Sequence, residues 1–268
     1  MFQSRLLNYS FILFAAYASA VAGAAAQGPP FGEPAASACA NLPSHNALAQ
    51  ALASALAAES SGLNNQMWAT VVNRDGVVCA VAFTGNGRGD QWPGSRVISA
   101  QKANTANAFS LPGLVLSTAN LYSAVQPGGS LYGLQHSNPV DTGVAYGGNA
   151  SNYGQPNDPM VGGTIGGVNV FGGGLALYNA NRQLIGGLGV SGDSSCADHN
   201  IAWRTRNTLG LDYLPGGVSG DTDRPDNIVY DIVTQPGFPS GVSAGGWGHP
   251  KCSTAATSIA STLPVVKH

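Results

Sequence analysis

The spacing of apolar positions along the chain predicts three principal helices. Leucines recur at every fourth residue behind Ser44, so they share one helical face, and serine is a residue type that caps helices. A cap at Ser95 precedes a second stripe, which brings Lys102 and Thr105 to one face. A third helix carries Asp198 in its first turn, where a negative charge suits the helix dipole. The predicted helices cover residues 44 to about 60, 95 to about 109, and from 195 or 198 to before 210, with a shorter helical piece at 114–125.

Short β-rich runs between these helices predict a mixed fold. One pair of runs flanks Asp75-Gly76, a dipeptide typical of a hairpin turn, and another pair flanks a turn at 179–181. The strands are predicted at 68–73, 77–83, 168–171, 175–178 and 184–190. Residues 126–167, rich in Gly, Asn and Pro, exceed ordinary loop length and indicate a functional or packed insertion. This order of elements predicts an α+β domain with a single antiparallel sheet flanked by helices.

Residues 1–26 have the pattern of a secretory signal peptide. A short basic start precedes an apolar run from Phe11 to Ala22, and small residues and Gly-Pro-Pro follow it. The run is shorter than the roughly 20 residues of a membrane-spanning helix, so a cleaved signal is favoured over an anchor. Of two A-x-A sites, at 18–20 and 24–26, cleavage at the second leaves Gln27 as the new N-terminus. We therefore expect a secreted or periplasmic protein with no membrane insertion after cleavage, and an extended lead-in over 27–43.

Composition and cysteines narrow the class of protein further. Charged residues make up only 9% of the chain, and no basic patch or amphipathic stripe indicates a nucleic-acid or membrane partner. Four cysteines in an exported chain favour two disulfides, and none of them has C-x-x-C spacing. Of the three pairings we favour Cys39–Cys79 and Cys196–Cys252, because each ties a terminal segment to a nearby core element. A free catalytic cysteine is the alternative.

Several motifs together resemble the GlcG/HbpS-like haem-binding family. They are VVNRDG at 71–76, GS at 94–95, AQKANTA at 100–106, GSLYGL at 129–134, FGGGLALY at 171–178 and LIGGLGVSGD at 184–193. The resemblance covers roughly residues 44–210 and implies a profilin- or PAS-like fold, homo-oligomers, and binding of haem or a related cyclic cofactor. The chain departs from the family pattern through its export, an expanded loop at about 139–166, the CADH segment at 196–199, and a C-terminal extension over 211–268. That extension is expected to be irregular and tied by a disulfide.

The resemblance and the chemistry of individual side chains indicate which residues would bind the ligand. Lys102 and Thr105 would line one edge of the ligand, and Gly173, Gly174 and Ser191 would form the opposite wall. The alternatives are a lysine whose ammonium reaches water and glycines that serve turns.

Two histidines are candidates for the axial ligand of haem iron. His199 lies at a predicted helix start and His136 in the long loop. A structural role is the alternative for His199. A hydrolase built on Ser191, His199 and an aspartate is disfavoured, because residues 189–192 lack the spacing of a nucleophile elbow. Three loop aspartates could contribute to an ion site, although aspartates in Gly-rich loops usually serve turns: Asp141, Asp158 and Asp193.

The expected function is therefore an exported haem- or tetrapyrrole-binding protein that acts by sequestration, transport or sensing rather than by turnover. Two alternatives stay open. An enzyme acting on a small organic acid in the same pocket would show a perturbed, buried acid–base pair around Lys102. A secreted structural or interaction module would show that pocket filled.

Overall fold

The computed structural model describes residues 35–267, so the predicted signal peptide lies outside the described residues. Within this range the helices are α1 Ala35–Ala38, α2 His45–Ala57, α3 Ser95–Phe109, α4 Leu134–Ser137, α5 Thr142–Tyr146, α6 Ser195–Thr208 and α7 Thr254–Ala260. The strands are β1 Trp68–Asn73, β2 Val78–Phe83, β3 Gly174–Tyr178, β4 Leu184–Ser191, β5 Ile232–Gln235 and β6 Phe238–Ser243. Short 3₁₀ turns occur at Thr118–Leu121, Ser123–Val125 and Ala150–Asn152.

A four-stranded antiparallel sheet in the order β2-β1-β4-β3 organises the fold. One face packs against α2 and α6, where Leu48, Val71 and Trp203 belong to one hydrophobic cluster. The other face packs against α3, where Val72 and Ala103 belong to a second cluster. Because the sheet is covered on both faces, every residue of β1 is buried. The predicted α+β class is confirmed.

Helix α3 lies directly on β4 because that strand is rich in glycine. A Cβ added at Gly187 would overlap the carbonyl oxygen of Ala103, and one added at Gly189 would overlap that of Ser99. Only glycine permits so close an approach of two backbones. This close packing sets the position of α3 on the sheet, and therefore the position of Lys102 at the end of β4.

Both predicted disulfides are present. Cys39 is bonded to Cys79 and Cys196 to Cys252, and the Cα atoms of the two pairs are 5.6 and 6.0 Å apart. None of the four cysteines is free. The first bridge ties the segment before α2 to β2, and the second ties the segment before α7 to the start of α6.

Three local predictions are wrong. Ser95 does not cap α3, because Gly94 occupies the N-cap position without a side-chain hydrogen bond. Residues 168–171 form no strand, since the side chain of Thr105 accepts the Asn169 N–H at 3.0 Å in place of a neighbouring strand. Residues 211–267 are not wholly irregular, because they contain the β5–β6 hairpin and α7.

The lead-in also differs from its prediction, because α1 gives residues 35–38 a helical turn. The predicted domain boundaries at 44 and 210 stay predictions. Over residues 35–267, no helix has the length and apolar character needed to span a membrane.

Candidate functional site

A buried ion pair lies where β4 ends and β3 begins. Lys102, in the middle of α3, places Nζ 2.7 Å from Oδ2 of Asp198, in the first turn of α6. The same ammonium donates to the carbonyl of Val190 at 3.1 Å. The other carboxylate oxygen of Asp198 accepts the backbone N–H of Asp193 at 2.9 Å. The exposed fractions of the two side chains are 2% and 3%, so the pair is isolated from water.

The low-polarity surroundings act strongly on this carboxyl. Burial raises the pKa of Asp198 to about 6, although the charge and hydrogen bond of Lys102 act in the opposite direction. A perturbed acid next to a buried base is the feature that the organic-acid enzyme hypothesis requires.

The predicted glycine wall packs tightly against Lys102. Gly173 has a φ of 113°, and a Cβ there would overlap the carbonyl of Val190 and lie 3.1 Å from Lys102 Nζ. A Cβ at Gly174 would overlap the side chain of Thr118 and the carbonyl of Lys102. These glycines admit neighbouring protein atoms.

The other predicted wall residues are also occupied. The hydroxyl of Thr105 donates to the carbonyl of Gln101 at 2.7 Å and accepts the N–H of Asn169 at 3.0 Å. Ser191 is 4% exposed and pairs with Trp68 across the sheet. The structure therefore brings Lys102, Gly173, Gly174 and Asp198 together, whereas Thr105 holds the segment that follows the long loop.

His199 is completely buried beside this cluster. Neither ring nitrogen has a hydrogen-bond partner among the described residues. Burial, together with the nearby positive charge of Arg206 and the nearby His249, lowers the pKa of His199 to about 3. The ring is therefore neutral at ordinary pH. His136, by contrast, lies exposed on α4.

His249, which no sequence motif singles out, is also buried. Burial lowers its pKa to about 4, Nδ1 lies 2.8 Å from the carbonyl oxygen of Pro250, and Nε2 has no partner among residues 35–267. The signal that could have found it is Cys252, three residues further on, whose disulfide fastens this segment to α6.

The loop aspartates serve local structure. Asp141 caps α5 through the N–H groups of Gly143 and Val144, and Asp193 accepts the N–H of Leu63. Asp158 forms a buried ion pair with Arg96. Among the described residues, no group of three or more His, Cys, Asp or Glu side chains is arranged to hold a metal ion.

This inner cluster, defined as Lys102, Asp198, Gly173 and Gly174, does not fit a porphyrin. Its ammonium already has two acceptors, and protein atoms fill the space in front of its glycines. A flat ligand would have to displace α3 or the Val190 carbonyl to enter.

Residues 45–206 match a family model described as haem degrading protein HbpS-like. The chain belongs to the HbpS-like family. The match ends within α6, so the disulfide-tied segment that carries His249 lies outside it. A search of curated proteins finds no match.

Several solved structures are similar to this HbpS-like chain. A PduOC:heme complex is 25% identical, with 62% of this chain and 91% of that chain covered and a TM-score of 0.43. Klebsiella pneumoniae protein ORFY is 28% identical, with 61% and 88% covered and a TM-score of 0.40. HbpS is 17% identical, with 63% and 90% covered and a TM-score of 0.37.

Proposed function

We propose that this protein is an exported haem- or tetrapyrrole-binding protein that acts by sequestration, transport or sensing. The observation that carries the proposal is the match of residues 45–206 to the HbpS-like family, whose description names haem. The inner cluster does not fit the ligand, so binding uses another surface of the same domain.

Export is supported by the cysteine chemistry. Two disulfides persist in oxidising compartments and are rare in the cytoplasm. Together with the predicted signal peptide, they favour a secreted or periplasmic location. A homo-oligomer is expected from the family resemblance, and light scattering coupled to gel filtration would measure its size.

A haem titration of the purified mature protein tests the function. Binding predicts a saturable shift of the Soret band that a non-binding control protein lacks. The family description also speaks of degradation, so the bound complex should then be followed with ascorbate under air. A stable Soret band supports sequestration, whereas steady bleaching supports turnover. A titration without a saturable shift contradicts the proposal.

A second candidate function, a secreted interaction module without a ligand, is favoured by the filled space around Lys102. The enzyme alternative requires a buried acid–base pair, which Lys102 and Asp198 form, and a cavity for the substrate beside that pair. Four surface cavities of about 210 to 370 Å³ are lined by residues other than Lys102 and Asp198. Absence of haem binding together with a specific protein partner would support the interaction module.

A further inference from the structure

A surface groove of about 250 Å³ lies at the N-terminal end of α3, away from the inner cluster. Its walls come from three separate parts of the chain. Trp68 begins β1, Arg88 and Pro93 belong to the loop before α3, Arg96 lies in the first turn of α3, and Tyr146 and Tyr153 belong to the expanded loop. Mostly aromatic and apolar atoms with a few charged groups are the usual composition of a small-molecule site.

The groove is held rigid by a buried ion pair. Nε of Arg96 donates to Asp158 at 2.9 Å, a second guanidinium nitrogen bonds the other carboxylate oxygen, and Nη1 donates to the carbonyl of Ala145 at 2.8 Å. The guanidinium carbon lies 3.6 Å from the ring centre of Tyr153. These contacts fasten the expanded loop to α3, so the ring of Tyr153 is positioned before any ligand arrives.

Two features give the groove an attraction for anions. Arg88 is exposed and has no hydrogen-bond or ion-pair partner among the described residues. The nearby carboxylate of Asp90 is engaged by the N–H groups of Asn86 and Gly87. In addition, α3 begins at Gly94, which borders the groove and provides no side-chain cap. The N–H of Ser95 is bonded to the carbonyl of Trp92, but the positive dipole end of this 15-residue helix lies at the border of the groove.

Besides the groups that attract anions, the groove has aromatic side chains against which a flat ligand could pack. Tyr146 is 62% exposed and lines the groove, so its ring is accessible to a ligand there. Trp68 is 2% exposed, and its indole N–H is buried without a partner in the described part of the chain. The ring of Trp68 supplies an aromatic surface to one wall of the groove.

We propose that this groove binds the edge of a planar aromatic carboxylate, and that the tetrapyrrole of the proposed function is the ligand. The ring would pack against Tyr146 and Pro93, and a propionate would meet Arg88 and the start of α3. Because the groove is smaller than the roughly 300–1,000 Å³ of sites that enclose a drug-sized ligand, most of the macrocycle stays outside it. The inference rests on the proposed function and adds where the ligand is held.

Four variants in two matched pairs test the site. Arg88→Glu is compared with Arg182→Glu, which makes the same charge change at another exposed arginine. Tyr146→Ala is compared with Tyr132→Ala, because both tyrosines are 62% exposed. Each protein is titrated with haemin and with iron-free protoporphyrin IX, following Soret absorbance and tryptophan fluorescence, after circular dichroism has confirmed folding.

We expect Arg88→Glu and Tyr146→Ala each to weaken binding of both probes by about tenfold or more, while the two control variants stay within about twofold of wild type. Wild-type affinity in Arg88→Glu and Tyr146→Ala overturns the site and leaves the proposed function standing. Binding of haemin without protoporphyrin also overturns it, because the groove recognises ring and carboxylate rather than iron. Failure of the wild-type protein to bind either probe overturns the function and the site together.

Discussion

Replacing His199 with leucine is expected to flatten the loss of stability in acid. The folded chain holds His199 neutral, with a pKa of about 3 against an ordinary 6.5, and His249 neutral, with a pKa of about 4. Unfolding lets both rings bind protons below pH 6.5, so the free energy of unfolding falls as pH falls. Each ring contributes about 1.4 kcal/mol per pH unit between its two pKa values.

Asp198 acts with the opposite sign. Its pKa is about 6 in the folded chain and 3.8 as the ordinary value, so between these values the folded state binds the extra proton. The contribution of this group to the free energy of unfolding therefore rises as pH falls from 6 towards 4, and this gain offsets most of the loss caused by one of the two histidines. From pH 6.5 to 4.5, the sum for the wild-type protein is a loss of about 3 kcal/mol, whereas His199→Leu should lose about 1 kcal/mol.

Urea unfolding followed by tryptophan fluorescence at several pH values between 7.5 and 4.5 measures this difference. His136→Leu is the matched control, because it removes an exposed imidazole and leaves the core unchanged. We expect it to lose stability as the wild type does. If His199→Leu loses as much stability as the wild type over the same range, burial does not hold His199 neutral in the folded chain.

Three further predictions concern stability. Converting Cys196 and Cys252 to serine opens a loop of 56 residues, and the chain-entropy relation gives a loss of about 4 kcal/mol, measurable as a lower urea midpoint. Lys102→Met leaves the carboxylate of Asp198 buried without its partner and should lower the free energy of unfolding by about 3–5 kcal/mol, and adding Asp198→Leu should restore much of that loss. If the losses from the two substitutions simply add, the two side chains are not coupled. Gly189→Ala forces a methyl group into the backbone of α3 and should lower the melting temperature through an overpacking cost of about 1–3 kcal/mol; an unchanged melting temperature would contradict that contact.

Local patterns predicted most of the elements that build the central sheet. The leucine spacing behind Ser44 and the Asp75-Gly76 turn act over a few residues, so α2 and the β1–β2 hairpin could be found from sequence. The C-terminal hairpin was missed although Pro236-Gly237 marks its turn, because none of its strand residues is buried and they lack an alternating apolar pattern. Residues 168–171 do alternate, but they follow two glycines with positive φ and bond to α3 instead of a strand.

The candidate sites were less predictable because they join distant parts of the chain. Lys102 was singled out as a ligand contact, but its partner Asp198 lies 96 residues away, and no local pattern connects the two. The same holds for Arg96 and Asp158, 62 residues apart, which position the groove. Gly173 and Gly174 are predicted to face Lys102 across a bound ligand, but they pack directly against it, because sequence alone could not show that protein atoms fill the space in front of these glycines.

The position of the iron in the haem-bound protein decides whether the tetrapyrrole lies at the groove. Crystals of the mature protein grown with haemin would be measured at the iron absorption edge, where an anomalous difference map marks the metal. We expect an iron peak outside the fold, next to the groove formed by Trp68, Arg88 and Tyr146, with Lys102 still paired to Asp198. An iron peak beside Lys102 or His199, or no ordered iron in crystals of a protein that binds haem in solution, would contradict this expectation.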